Sequence, residues 1–234
     1  AKRKHYNSIV CGDMGSGKST HLKKLFKHSA SIGNYIRVFD VSGEFVSLTN
    51  EFGGKIIRCS GREGMLNPLE ILRSGENDEV SYANHISKLQ IFFKCIIPSM
   101  DDILRQELAN QLRSFYAAYN LTPENDNQIT GRAAVDYPIL SDFKNYLIQM
   151  INRIKNADEL ALTDVETNLN IEKARNLSSL LGAVENLINN YGIIFNGHSA
   201  INNITSEQIV CFDISSIKDL GDIFAAQMQI LVSL

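Results

Sequence analysis

A glycine-rich turn near the beginning of the chain carries the residue types best suited to chemistry. Residues 12–19 read Gly-Asp-Met-Gly-Ser-Gly-Lys-Ser and fit the pattern G-x-x-x-x-G-K-[ST] at every fixed position. Glycines let a backbone curl until successive N–H groups point inward at a phosphate, where a Cβ would obstruct the approach. Lys18 can bring a positive charge to the terminal phosphates, and the Ser19 hydroxyl can coordinate Mg²⁺. This Walker A motif therefore predicts a site for ATP and Mg²⁺.

The predicted phosphate cradle needs a strand before it and a helix after it. Residues 6–11 form a short β-prone run, and residues 18–29 carry apolar side chains at helical spacing. A helix that begins at Lys18 would add the positive end of its dipole to the same site. Lys18 is predicted to act in catalysis as well as in binding, and Thr20 to contact the α-phosphate side. The predicted nucleotide-binding residues are Gly12, Asp13, Met14, Gly15, Ser16, Gly17, Lys18, Ser19 and Thr20.

Hydrolysis at such a site also needs a carboxylate near Mg²⁺ and a group that orients the attacking water. Asp213 ends the apolar run Ile209-Val-Cys-Phe-Asp, which has the form of a Walker B strand, and it is predicted to bind the metal. Asp40 ends a similar run and is a second candidate, with Gly43 and Glu44 following it. Because aspartates after strands also cap helices, a structural role stays open for both aspartates.

Two arginines, Arg58 and Arg62, flank a Ser-Gly turn near the end of a predicted strand. An arginine near a phosphate site can stabilise the charge that develops during phosphoryl transfer. Arginines at strand ends are more often surface or structural residues, so we favour that interpretation and keep the arginine finger as an alternative.

Short apolar runs alternate with helical patterns in the outer parts of the chain. The predicted strands cover residues 6–11, 35–40, 55–59 and 208–214. This alternation favours a parallel sheet covered on both faces, so the predicted fold class is α/β with a P-loop core. Between residues 71 and 191 the apolar side chains instead recur every three to four residues, which predicts helices. We expect a discontinuous core, residues 1–70 and 192–234, interrupted by an all-helical insertion over residues 71–191.

The composition excludes several classes of protein. The 234 residues include 26 acidic and 23 basic side chains, so the formal net charge is −3, and 44% of the residues are hydrophobic. The hydrophobic fraction excludes disorder, and the acidic excess argues against a protein that coats nucleic acid, although it allows a local basic groove. The four cysteines include no C-x-x-C pair, which disfavours a zinc site or a disulfide scaffold and predicts buried, reduced thiols. No apolar run is continuous enough to cross a bilayer.

Six segments, in order along nearly the whole chain, resemble the large ATPases of bacterial conjugation and type IV secretion. Those ATPases belong to the HerA–FtsK branch of P-loop motors. The Asn-Pro-Leu at residues 67–69 is a fairly specific part of this resemblance, whereas the P-loop alone is shared by many unrelated proteins. The segments read GDMGSGKST, DVSGEF, FGGKIIRCSG, NPLEIL, HISKLQIFF and VCFDISSI.

This resemblance implies a RecA-like, ATP-hydrolysing core in a hexameric motor at the cytoplasmic mouth of a secretion channel. Such a motor would drive pilus assembly or the transport of DNA or protein. It would lie peripherally at the cytoplasmic face of the inner membrane and would contact further copies of itself, other channel subunits and, as a candidate partner, DNA. The chain begins without Met and its last residues follow an apolar helical pattern, so we expect it to be a segment of a longer protein.

The resemblance also implies roles for the acidic residues. Glu44 matches the acidic loop of the family, although Val41 replaces its usual Pro, and Glu44 is predicted to act in catalysis beside the γ-phosphate. The hydrolytic Asp-Glu pair of the family would lie on a strand after Leu234, which would place Asp213 on the strand before it. We therefore expect the chain to bind ATP and Mg²⁺ without containing the hydrolytic Walker B Glu.

Three other functions compete with the secretion motor. A cytosolic double-stranded DNA pump or helicase of the same superfamily is the principal alternative. A small P-loop kinase is a weaker one, because such kinases place a lid and a substrate site close after the core strands and fit a long helical insertion poorly. A nucleotide-binding assembly module without turnover is the third alternative.

Overall fold

The computed structural model describes residues 7–124, 127–157, 164–201, 204 and 206–232. The chain folds into two compact units, the first formed by Ala1–Ile57 with Asn203–Ser215 and the second by Arg58–Asn202 with Ser216–Leu234. The strands are β1 (Ile36–Asp40), β2 (Lys55–Arg58) and β3 (Ile209–Asp213). The helices are α1 (Lys18–Ser31), α2 (Val46–Glu51), α3 (Asp78–Ile96), α4 (Asp102–Ala118), α5 (Leu140–Ala157), α6 (Asp164–Phe195) and α7 (Asp222–Leu231).

The first unit is built on a three-stranded sheet with the strand order β1-β3-β2. β1 and β3 run parallel, and their register pairs Ile36 with Ile209 and Asp40 with Asp213. The first four residues of β3 are buried, as expected for the central strand of a covered sheet. The predicted α/β class with a parallel sheet is confirmed.

Helix α1 packs in this unit through Phe26 and Ala30, which lie four residues apart and share one face of the helix. The centroid of the Phe26 ring lies 6.1 Å from that of Phe45 and 6.0 Å from that of Phe52. This apolar cluster fixes α1 against the segment that follows β1. Its buried members are Phe26, Ala30, Leu48 and Ile209.

The predicted strand over residues 6–11 is not observed. Residue 6 lies outside the described residues, and residues 7–11 belong to no strand, with Ile9 89% exposed. A β-prone run becomes a strand only where a neighbouring strand offers hydrogen bonds, and none of the three described strands pairs with this one.

Cys11 lies in this unpaired segment and is exposed, so the prediction of buried thiols is wrong for Cys11. Cys59 and Cys211 are buried, and Cys95 is half-buried.

The described residues of the second unit form helices and turns, apart from Arg58 at the end of β2. Asn77 and Asp101 cap α3 and α4 by accepting the N–H groups of Val80 at 2.9 Å and Leu104 at 2.8 Å. As predicted, the described part of residues 71–191 contains helices and turns and no strand. None of the described helices is both long and apolar enough to cross a lipid bilayer. The buried aromatic centre of the unit contains Phe92, Phe93, Phe115, Phe143 and Phe195.

The chain enters and leaves the helical part of this unit at adjacent positions. The N–H of Ala200 donates to the carbonyl of Met65 at 3.0 Å, and the N–H of Asn67 donates to Ser199 Oγ at 2.9 Å. The Asn67 amide also donates to the carbonyl of Pro138 at 2.8 Å. α7 packs against α3, so its residues belong to the second unit as well. The division into a core of residues 1–70 and 192–234 and an insertion of residues 71–191 stays a prediction.

Candidate nucleotide-binding site

The Walker A turn leads directly into α1. The helix begins at Lys18, and its N-cap residue Gly17 has a φ of 89°, in the left-handed region that favours glycine. A Cβ built on Gly12 would lie 2.5 Å from Ser16 Oγ and 3.2 Å from Ser16 Cβ, so a side chain there would require Ser16 to move. The N–H of Ser16 donates to the carbonyl of Asp13 at 3.2 Å and closes the turn. The turn therefore has the close backbone curl that phosphate binding requires.

The side chain of Lys18 lies over this turn. Its Nζ donates to the carbonyl oxygens of Gly12 at 2.6 Å and Asp13 at 2.7 Å. The first turn of α1 contains no acidic residue, so nothing in that turn neutralises the positive end of the helix. Helix N–H groups next to an ammonium form a site for anions. The residues present therefore fit the phosphates of a nucleotide.

Glu44 contacts the same helix from the loop after β1. Its Oε2 lies 3.0 Å from Lys23 Nζ. The pKa of Glu44 lies below its usual value, first because Lys23 donates a hydrogen bond and adds positive charge, and then because the Ser19 hydroxyl hydrogen-bonds to it. The structure thus brings two predicted site residues, Ser19 and Glu44, together at the beginning of α1.

Asp40 braces the loop that carries Glu44. Its side chain is buried, with Oδ1 accepting the N–H groups of Gly43 at 2.9 Å, Glu44 at 3.2 Å and Ser42 at 3.3 Å. Its Oδ2 accepts the N–H of Phe45 at 2.7 Å. A carboxylate that accepts this many backbone N–H groups holds the main chain in place. Of the two roles left open for Asp40, the geometry supports the structural one.

Asp213 stands beside Asp40 at the ends of two parallel strands. Its Oδ1 accepts the N–H of Ser215 at 3.1 Å and the hydroxyl of Ser215 at 2.6 Å. Among the hydrogen bonds and ion pairs of the described residues, none joins Asp213 to Lys18 or Ser19. Its role as a metal ligand stays a prediction.

The other residues of the predicted cradle lie at the surface. Residues 12–17, 19 and 20 are exposed, and the side chain of Met14 is fully so. Arg58 ends β2 and Arg62 begins a short 3₁₀ turn, Arg62–Gly64, and both arginines are exposed. A role as an arginine finger stays an alternative for either of them.

Lys23 lies outside the motifs that the sequence displays. The available signal was its distance of four residues from Ser19, because residues i and i+4 share one face of a helix. The bracing by Asp40 had no comparable signal, since its partners are main-chain N–H groups that every residue except proline carries.

The chain belongs to the family described as the helicase HerA central domain, whose model matches residues 8–228. This match confirms the resemblance to the HerA–FtsK branch. The matched residues include the Walker A turn, the loop that carries Glu44, helices α3 to α6 and strand β3.

Two known proteins illustrate the relationship. The uncharacterized protein pXO2-09 of Bacillus anthracis is 33% identical in an alignment of 233 positions that covers 92% of this chain and 34% of that protein. The structure of VirB4 of Thermoanaerobacter pseudethanolicus matches with a TM-score of 0.77 at 20% identity, over 94% of this chain and 53% of that one. The chain thus spans about a third of the first relative and about half of the second. The likeness to VirB4 confirms the fold that the resemblance implied.

Proposed function

We propose that this chain is an ATP-binding and ATP-hydrolysing motor domain of a bacterial conjugative-transfer or type IV secretion apparatus. Its hydrolysis of ATP would energise pilus assembly or the transport of a substrate. The observation that carries the proposal is the Walker A turn at the beginning of α1, with Lys18 lying over the turn and Glu44 paired to the same helix through Lys23. The membership of the HerA family and the likeness of the fold to VirB4 support a motor.

In the proposed site the backbone N–H groups of residues 12–20 hold the phosphates. Lys18 exchanges its two carbonyl contacts for the β- and γ-phosphates, and Ser19 holds Mg²⁺, which neutralises phosphate charge when bound. Glu44, which pairs with Lys23 one helical turn beyond Ser19, would orient the attacking water. Asp213, at the end of β3, is a proposed further ligand of the metal or of its waters.

The proposed partners follow from the resemblance of the six segments and from the VirB4 fold. They are ATP, further copies of the chain in a hexamer, and channel subunits at the inner membrane. The motor would lie peripherally at the cytoplasmic face of that membrane. A neighbouring copy would complete the site with a cation, since P-loop enzymes commonly receive an arginine in trans.

A cytosolic double-stranded DNA pump is the second candidate, and the family description, helicase HerA, favours it. The excess of acidic residues, 26 against 23 basic ones, argues against DNA binding by this part of the protein. DNA binding separates the two candidates. A DNA pump should hydrolyse ATP faster with duplex DNA, and its DNA affinity should fall steeply between about 50 and 200 mM salt.

Substitution of Lys18 tests the ATPase itself in the full protein. Lys18→Ala should weaken ATP binding by about tenfold or more and reduce turnover to background, because the phosphates lose their principal cation. Lys24→Ala is the matched control, since Lys24 is an exposed lysine on the same helix. Binding is measured with a fluorescent ATP analogue, and turnover by phosphate release. Wild-type affinity and turnover in Lys18→Ala would contradict the proposal.

A further inference from the structure

The loop that carries Glu44 fixes the backbone of this residue but leaves its side chain free. Asp40 accepts the N–H groups of Gly43, Glu44 and Phe45, and the Phe45 ring packs against Phe26. These contacts hold the main chain on both sides of Glu44. The Glu44 side chain itself is 41% exposed. A glutamate with a fixed backbone still has several staggered side-chain conformations, so something else must select one of them.

Helix α1 supplies the contacts that select this conformation. Lys23 Nζ lies 3.0 Å from Glu44 Oε2, and the nearby Ser19 hydroxyl helps to lower the pKa of the same carboxyl group. Ser19 and Lys23 are four residues apart and lie on one face of the helix. The next residue along this face, Lys27, is 3.5 Å from Glu51 instead. Two lysines of one helix therefore make two separate ion pairs, and the Lys23 pair lies beside the Walker A turn.

We propose that Lys23 is a positioning residue for Glu44, whose carboxylate it holds beside the Ser19 hydroxyl. This inference rests on the proposed ATPase function and deepens it. Ser19 is the proposed metal ligand, so a carboxylate held beside it is placed where water would attack the γ-phosphate. Lys23 acts through Glu44 and makes no contact with the nucleotide.

The exposure of this ion pair makes the inference testable without loss of the fold. The Lys23 and Glu44 side chains are 37% and 41% exposed, and solvent-exposed ion pairs contribute little to folding stability. Removing the ammonium should free the χ1 and χ2 angles of Glu44 while the loop keeps its brace. The carboxylate would then spend only part of its time beside Ser19. Turnover should fall in proportion, while the phosphate cradle and its affinity for ATP stay intact.

Steady-state phosphate release by the full protein gives the first test. Lys23→Ala should lower kcat by roughly three- to tenfold with KM unchanged, because χ1 and χ2 each have about three staggered positions. Lys23→Arg keeps a cation of similar reach and should restore most of the turnover. Lys27→Ala removes the other ion pair of the same helix face and should behave as wild type. Lys18→Ala defines the background.

A double substitution gives the second test, because a residue that acts only through Glu44 has no effect once Glu44 is inactive. In the Glu44→Gln background, Lys23→Ala should cause no further loss of kcat. An equal loss in both backgrounds would overturn the inference, as would a raised KM at unchanged kcat, which would mean direct contact with the nucleotide.

The failure of the inference and the failure of the proposed function give different results. Wild-type turnover no higher than that of Lys18→Ala would overturn both. Clear wild-type turnover with kcat equal in Lys23→Ala and Lys27→Ala would overturn the positioning role alone.

Discussion

Replacement of Asp40 by Asn should loosen the loop that carries Glu44 even when no nucleotide is bound. Asp40 is only 2% exposed, and both of its carboxylate oxygens accept backbone N–H groups. An Asn side chain keeps one acceptor oxygen and places an NH₂ donor where the other oxygen was. Either the N–H of Phe45 or those of Gly43 and Glu44 would then face a donor and lose their partner.

The size of the effect follows from this loss. A hydrogen bond to a charged group contributes about 1.5–3 kcal/mol, and a buried N–H left without a partner costs about 1–3 kcal/mol. Since the loop can relax in part, we expect Asp40→Asn to destabilise it by about 2–4 kcal/mol. Because 1.4 kcal/mol corresponds to a factor of ten, amide exchange at residues 42–45 should accelerate by roughly 30- to 700-fold.

Hydrogen exchange, followed by mass spectrometry in EDTA without nucleotide, measures this directly. Asp213→Asn is the matched control, because Asp213 pairs with Asp40 in the register but, among the described residues, accepts hydrogen bonds from Ser215 alone. The control should leave exchange at residues 42–45 close to the wild-type rate. If Asp40 were instead a metal ligand, Asp40→Asn would leave exchange in EDTA unchanged and alter only the dependence of activity on Mg²⁺. That result would refute the bracing role.

Two further predictions concern buried titratable groups. Burial, with a smaller contribution from the charge of Lys88, lowers the pKa of His85 to about 3. The unfolded chain binds this proton more readily, because its histidine pKa lies near 6.5. The free energy of unfolding should therefore fall by up to about 1.4 kcal/mol per pH unit as the pH is lowered from about 6.5 to about 3. Urea titrations should show that this dependence of the unfolding free energy on pH is lost in His85→Gln. An unchanged dependence would contradict its assignment to His85. Burial raises the pKa of Cys211 to about 11, so a thiol reagent at about pH 8 should modify the exposed Cys11 and spare Cys211 in the folded protein. Peptide mass spectrometry reads out both sites, and fast labelling of native Cys211 would show that its burial is incomplete.

The secondary structure was predictable where neighbouring residues decide it. The strands expected over residues 35–40, 55–59 and 208–214 are observed as Ile36–Asp40, Lys55–Arg58 and Ile209–Asp213. Helix α3 ends at Ile96, two residues before Pro98, and α5 begins at Leu140, two residues after Pro138, because proline cannot continue the hydrogen bonding of a helix. The expected strand over residues 6–11 had equally suitable residues. Its described part is not a strand, because pairing depends on a partner that the segment does not itself contain.

The residues of the candidate site were likewise predictable only where neighbouring residues decide their arrangement. The Walker A residues adjoin in the chain, so their spacing alone predicted the turn and the helix after it. The contact of Glu44 with α1 joins segments that are distant in sequence, and the expectation of a role for Glu44 came from the resemblance. The resemblance also singled out Asn67, as part of the Asn-Pro-Leu segment, but gave no physical reason for it. The structure supplies one, since its buried amide holds the carbonyl of Pro138 while its N–H holds Ser199.

The central position of β3 has a consequence for the order in which the protein folds. β3 lies between β1 and β2 in the sheet but follows β2 by about 150 residues, and closing a flexible loop of that length costs about 4 kcal/mol of chain entropy. The bonds from Ala200 to Met65 and from Asn67 to Ser199 tie the two ends of the intervening chain together. Once that segment has folded, the loop to be closed shortens to about 16 residues and its closure costs about 2 kcal/mol less. The helices, whose contacts are more local, should therefore fold first and make the parallel sheet kinetically accessible.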